Sequence, residues 1–184
     1  MSDETGRDGT NNDIGGLTVT INDRSIEIAV TGGGRHVIPV GPCSLSEREF
    51  ERFDPPPASC LTNAIGLVQD HLDDILMETP SVAATPSVVF TGHHAASLGR
   101  VEIGADALPD GYRALRSDID DVFRTLVAET PLQRRSNPGL DDEHTGTVIA
   151  TCCVTLAIMR RLTLSEAIII DDHTPRLDRR EAVS

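Results

Sequence analysis

From residue 17 the chain alternates. "LTVTI" (17–21) and "SIEIAV" (25–30) place apolar side chains at every second position, the period-2 pattern of half-buried strands. "HVIPV" (36–40) continues the β-rich run. Asn22-Asp23-Arg24 and Gly32-Gly33-Gly34 separate the three stretches with turn residues, so an antiparallel meander is expected. The pattern then changes period. "SLSEREFERF" places Ser46 and Glu49 as a capping box for a short helix, which "DPPP" at 54–57 ends. Leu61, Ile65, Val68, Leu72 and Ile75 step by four and three, an apolar stripe on a helix over 58–78. Asp70, Asp73 and Asp74 lie off that stripe and form a solvated face.

The second half alternates strand and helix signals. "SVVFT" (87–91) is a buried strand running into Gly92-His93-His94 and a small-residue helix start, and "LPDGY" is a turn. Ile119, Val122, Phe123 and Leu126 mark a helix over 117–128, and "TPLQRRSNPG" is a loop. A long helix is expected over 143–162 and a last strand over 166–171. The polar residues 1–15 read as a disordered tail and 174–184 as a flexible one, leaving one domain over 16–173. Three antiparallel strands followed by helix, strand, helices and strand give an α/β mixed sheet with helices on its faces. This is the ribonuclease-H-like layout, the half-unit of actin-like ATPases.

Composition narrows the partners. The 184 residues suit one full domain, and 39% hydrophobic content supports a core. Aromatics make up 3%, with no Trp, so the core is aliphatic and no ring platform exists for stacking nucleic-acid bases. A net charge of -13 argues against nucleic acid or an anionic membrane as partner. All 16 basic residues are arginine. The chain shows neither an apolar run of membrane-spanning length nor a signal peptide. Cys43, Cys60, Cys152 and Cys153 lack CxxC spacing and read as structural thiols, in keeping with a reducing cytoplasm.

Several stretches in order resemble the second domain of the exopolyphosphatase / guanosine pentaphosphate phosphohydrolase (Ppx/GppA) family, over most of residues 17–172. "TINDRSIEI" (20–28) stands where that family has a strand ending Asp-Ile-Gly-Gly-Gly-Ser-Thr-Glu-Leu. "VGPCSLSER" (40–48), "DPPP", "TGHHAASLG" (91–99) and the closing stretch from Asn137 to Asp171 follow in the family's order and spacing. An alternative register on Asp13-Ile14-Gly15-Gly16 leaves "LTVTI" without the serine-x-glutamate that Ser25 and Glu27 supply.

The resemblance implies a phosphate site at Asn22, Asp23, Arg24 and Ser25 in one loop and Gly92 and His93 in another. It implies substrates such as polyphosphate or guanosine penta- and tetraphosphate, and Mg²⁺ if the chain is active. Three losses weaken catalysis: the amide cradle, an acidic ligand and the general base. Side chains replace the glycines whose amides would close on phosphate. Asp23 adds like charge, a repulsion on the order of several kcal/mol at about 4 Å. Thr20 stands in place of an acidic ligand, and the family's catalytic glutamate belongs to a first domain that this chain is expected to lack. Glu27 remains as a possible functional remnant. The expectation is a non-catalytic binding or regulatory protein. Two alternatives stand beside it: an active phosphohydrolase completed by a separate first-domain protein, and an interaction module or homodimer without a phosphate ligand.

Three clusters carry metal-ligating types: His93-His94, Asp142-Glu143-His144 and Asp171-Asp172-His173. Adjacent residues diverge on a helix, so only the fold can unite them. Solvated or capping roles are expected, with no metal ligand among them. Gly32-Gly33-Gly34, followed by Arg35 and His36, is expected to be a hairpin loop rather than an anion nest.

Overall fold

The computed structural model describes residues 16–85 and 87–171. Expectations for the tails at 1–15 and 174–184, and for Asp172 and His173, lie outside the described residues. Strands β1 (Leu17–Ile21), β2 (Ile26–Val30) and β3 (Arg35–Ile38) form the expected antiparallel meander. Strand β4 (Val88–Thr91) pairs parallel to β1, and β6 (Glu166–Ile169) pairs parallel to β4. A further strand, β5 (Tyr112–Leu115), closes the far edge antiparallel to β6, giving the order β3-β2-β1-β4-β6-β5. This mixed α/β sheet is the expected ribonuclease-H-like layout with one added edge strand.

The strand alternation decides which face is covered. Leu17, Val19, Ile21, Ile26, Ile28, Phe90, Ala167 and Ile169 point to one face and are buried. Thr18, Thr20, Glu27, Ala29, Val89 and Ile168 lie on the other and are half-buried, while Val37 and Leu115 are exposed. The helices therefore gather over one face, where both faces were expected to be covered. The reason is topological. The crossovers β3 to β4 and β4 to β6 step the same way across the sheet, so right-handed connections put their helices on the same side.

Helix α1 (Pro42–Leu45) runs into a π-helical turn at Ser46–Phe50, followed by α2 (Ala58–Glu78). Helix α3 (His93–Ile103) follows β4, α4 (Arg116–Ala128) follows β5, and α5 (Pro131–Arg134) is a single turn. Helix α6 (Val148–Arg161) is buried on every side from Val148 to Met159, as an all-round apolar helix must be, and packs against α2, α3 and α4. Cys152 and Cys153 sit inside it as structural thiols; burial pushes the Cys153 thiol up to about 12.

Three local readings are corrected. The cap lies at Gly41 rather than Ser46: the Ser44 hydroxyl accepts from Gly41 N–H at 2.9 Å and donates to Gly41 O at 3.0 Å. Pro42 at the first helical position reinforces that earlier start. The helix expected over 143–162 begins at Val148, because Asp142–His144 forms a separate 3-10 turn. The loop over 130–139 contains α5, capped by Thr130 and Gln133.

Candidate functional site

Two turns meet at one end of the parallel strands. The first is the β1–β2 turn, closed by Asn22 N–H donating to Ser25 O at 2.9 Å. The second is the β4–α3 turn at Gly92. Gly92 holds φ at +93°, and a Cβ there would sit 2.6 Å from Ile21 O. Only glycine lets the second turn close this tightly on the first. Gly41 backs the same corner from below: a Cβ there would meet Asn22 O at 2.4 Å and Ser25 N at 2.6 Å. Cys43 N–H donates to Asp23 O at 2.8 Å, tying α1 to the turn.

Side chains fill this corner. Asp23 Oδ1 accepts a 2.9 Å hydrogen bond from His94 Nε2 and lies 3.1 Å from His93 Nε2. His93 Nδ1 lies 2.8 Å from Nε2 of His144, which the 3-10 turn before α6 delivers. His94 and His144 are buried, whereas the Asp23 side chain is 61% exposed. The three imidazole centroids lie 4.2 to 5.2 Å apart.

Burial governs the charges. Desolvation, reinforced by the field of His93, pushes His94 down to about 4, so it is neutral at pH 7. The same two causes, in the same order, lower His144. The His94 hydrogen bond holds the Asp23 carboxyl below its ordinary value. The Asp23–His94 contact is therefore a neutral N–H on a carboxylate, not an ion pair. Desolvation raises the nearby Cys43 thiol.

The residues expected at a phosphate site divide. Asn22, Asp23, Arg24 and Ser25 share the turn, and Gly92 and His93 lie against it. Arg24 turns away, pairing with Glu47 at 2.6 Å on the exposed surface. Asn22 Nδ2 lies 3.4 Å from Ser25 Oγ. Glu27 sits opposite Thr20 on the half-exposed sheet face and pairs with Arg35. The Thr20 hydroxyl lies 3.0 Å from that of Thr91. Among the described residues, no contact joins Glu27 to the histidines.

Of the three clusters that only the fold could unite, two contribute to one corner: His144 joins His93 and His94. Asp171 instead pairs with Arg100 at 3.0 Å, and Arg100 also holds Asp141 at 2.5 Å. Sequence reasoning missed His94 and His144 as site residues. Their one local signal was a polar ring beside runs that fold inward. The corner suits Mg²⁺ poorly: three imidazoles and one carboxylate are not the oxygen-rich octahedral set which that ion demands.

No family model and no curated protein sequence matches the chain. Solved structures do. An exopolyphosphatase-like protein aligns at TM-score 0.78 and 17% identity, over 88% of this chain and 58% of that one. The Aquifex aeolicus PPX-GPPA enzyme aligns at TM-score 0.73 and 16% identity, over 84% of this chain and 52% of that one. An exopolyphosphatase from Cytophaga hutchinsonii aligns at TM-score 0.68 and 14% identity, over 85% and 53%. The chain thus has the fold seen in Ppx/GppA exopolyphosphatase structures and spans just over half their length. Among the described residues, no helix is long and apolar enough to cross a membrane.

Proposed function

We propose that this chain is a Ppx/GppA-like domain that binds a phosphate-containing ligand, in polyphosphate or guanosine penta- and tetraphosphate metabolism, without hydrolysing it. It acts as a single α/β unit in a reducing compartment such as the cytoplasm. One observation carries the reading. The corner where glycine amides would cradle phosphate holds the Asp23 carboxylate, hydrogen-bonded to His94 and 3.1 Å from His93. A carboxylate there opposes the negative charge that a transferring phosphoryl group carries. Glu27, the carboxylate left to orient a water, is engaged with Arg35.

The position of Asp23 limits how far it repels a ligand. Its side chain is mostly exposed, so water screens much of the like-charge penalty. Binding is weakened rather than abolished, whereas the positioning and charge stabilisation that hydrolysis requires are missing. The test is phosphate release from long-chain polyphosphate and guanosine pentaphosphate with Mg²⁺, alongside calorimetry of both ligands. Binding without release is expected. Release that Glu27→Ala abolishes would overturn the reading.

A second reading rests on the length of the match, which is just over half of each related chain. In it, a separate polypeptide supplies the rest of a cleft and its catalytic carboxylate. Release that appears only on adding a first-domain protein distinguishes it.

A further inference from the structure

We propose that Asp23, His93, His94 and His144 form a binding site for a divalent transition-metal ion of the zinc class. The donors come from three segments far apart in sequence: the β1–β2 turn, the start of α3 and the 3-10 turn before α6. Donor atoms of the three histidines lie within 4.8 Å of one another. Asp23 Oδ1 adds a fourth at 2.9 Å from His94 Nε2. In a tetrahedral site with metal–ligand bonds of about 2.0–2.1 Å, neighbouring donors stand roughly 3.3 Å apart. His93 offers one nitrogen to an ion, and through Nδ1 it stands 2.8 Å from His144 Nε2, while His94 Nε2 stands 2.9 Å from Asp23 Oδ1, so both edges need to open by only a few tenths of an ångström. Imidazole and carboxylate together select zinc-like ions over hard oxygen-seeking ones.

The surroundings of His144 support the site. Its Nδ1 is buried with no hydrogen-bond partner among the described residues, and lies 3.6 Å from the Asp141 carboxylate and 3.8 Å from that of Glu143. An ion on His144 Nε2 fixes the ring proton on Nδ1, beside Asp141, which Arg100 holds in place. A carboxylate behind a ligating imidazole is the usual support of such sites. His94 offers its Nε2 to the cluster.

The consequence deepens the phosphate reading but does not depend on it. A dication bound to one carboxylate and three neutral rings leaves a net single positive charge at the corner. That replaces the attraction the lost amide cradle supplied.

The experiment titrates Co²⁺ into the untagged full chain after chelator treatment. It follows visible absorption and thermal stability. The expected result is one ion per chain, the intense visible bands of tetrahedral Co²⁺, no thiolate charge-transfer band from Cys43, and displacement by Zn²⁺. Asp23→Asn and His144→Gln should each weaken binding by about tenfold or more. His71→Ala, on α2 and outside the cluster, should leave it unchanged. The Asp23 side chain is mostly exposed, so Asp23→Asn keeps the test open if His144→Gln fails to fold. No saturable Co²⁺ signal, a thiolate band, or undiminished binding in Asp23→Asn overturns the site. Co²⁺ binding without any response to added triphosphate upholds the site and removes the phosphate reading alone.

Discussion

His94 Nε2 donates a 2.9 Å hydrogen bond to Asp23 Oδ1 across 71 positions of sequence. The contact joins the turn after the first strand to the turn after the fourth. It places a carboxylate against two histidines where the two turns meet. Both turns can meet there because Gly92 packs its Cα on Ile21 O.

Gly92→Ala tests that closure. The new methyl would meet a backbone oxygen at 2.6 Å, and φ of +93° is unfavourable for any L side chain. The variant should lose about 2–4 kcal/mol of stability in urea unfolding, through strain and displacement of the turn. Wild-type stability would show that the turns are not held this closely.

Arg134 is an interior arginine that caps a helix from the side. Its Nη1 donates to Leu126 O at 3.0 Å and Glu129 O at 2.7 Å, and its Nη2 pairs with Asp54. Arg134→Ala would strand the last carbonyls of α4 and should cost about 2–4 kcal/mol. Arg134→Lys should recover only part of this, since one ammonium cannot span the fork. Equal stability of Lys and wild type in chemical denaturation would contradict the assignment.

Glu102 sets a pH signature. Desolvation, then repulsion from Asp118, raises its carboxyl above the ordinary 4.5, and Tyr112 O–H donates to it. A raised folded-state value means that its contribution is fully present below 4.5 and is lost as pH rises through the folded value. Glu102→Gln removes that loss while still accepting from Tyr112. Its melting temperature should exceed wild type at about pH 7, and the gap should shrink toward about pH 4. A gap that widens on acidification would reverse the sign and refute the account.

The four thiols should separate by burial. Cys152 and Cys153 are buried with raised values, whereas Cys43 and Cys60 are partly exposed. Brief alkylation of the native chain at about pH 8 should label at most two sites, and labelling in denaturant should reach all four. Mass spectrometry reads the count; early labelling of the 152–153 pair would place α6 at the surface.

Much of the fold was legible locally. Alternation in "LTVTI" and "SIEIAV" marked β1 and β2, and the four-three stepping from Leu61 to Ile75 marked α2, because side-chain period reports which face meets the core. Strand β5 escaped notice. "YRAL" is a four-residue edge strand with one buried side chain, Ala114, and its pairing to β6 comes from a segment 51 to 57 residues away. The start of α1 also escaped, since the Ser46–Glu49 spacing fits a capping box that the Gly41–Ser44 contact pre-empts.

The sequence by itself determined the alternating elements, the aliphatic core and the Ppx/GppA-like order of its pieces, since each depends on neighbours within a few positions. Tertiary structure alone decided that Asp23, His93, His94 and His144 share one corner while Glu27 and Asp171 do not. Side chains from segments 51 to 71 residues apart meet only once the sheet order and two close glycine packings are set. Hydrophobic burial drives that assembly and takes no account of which polar groups it brings together.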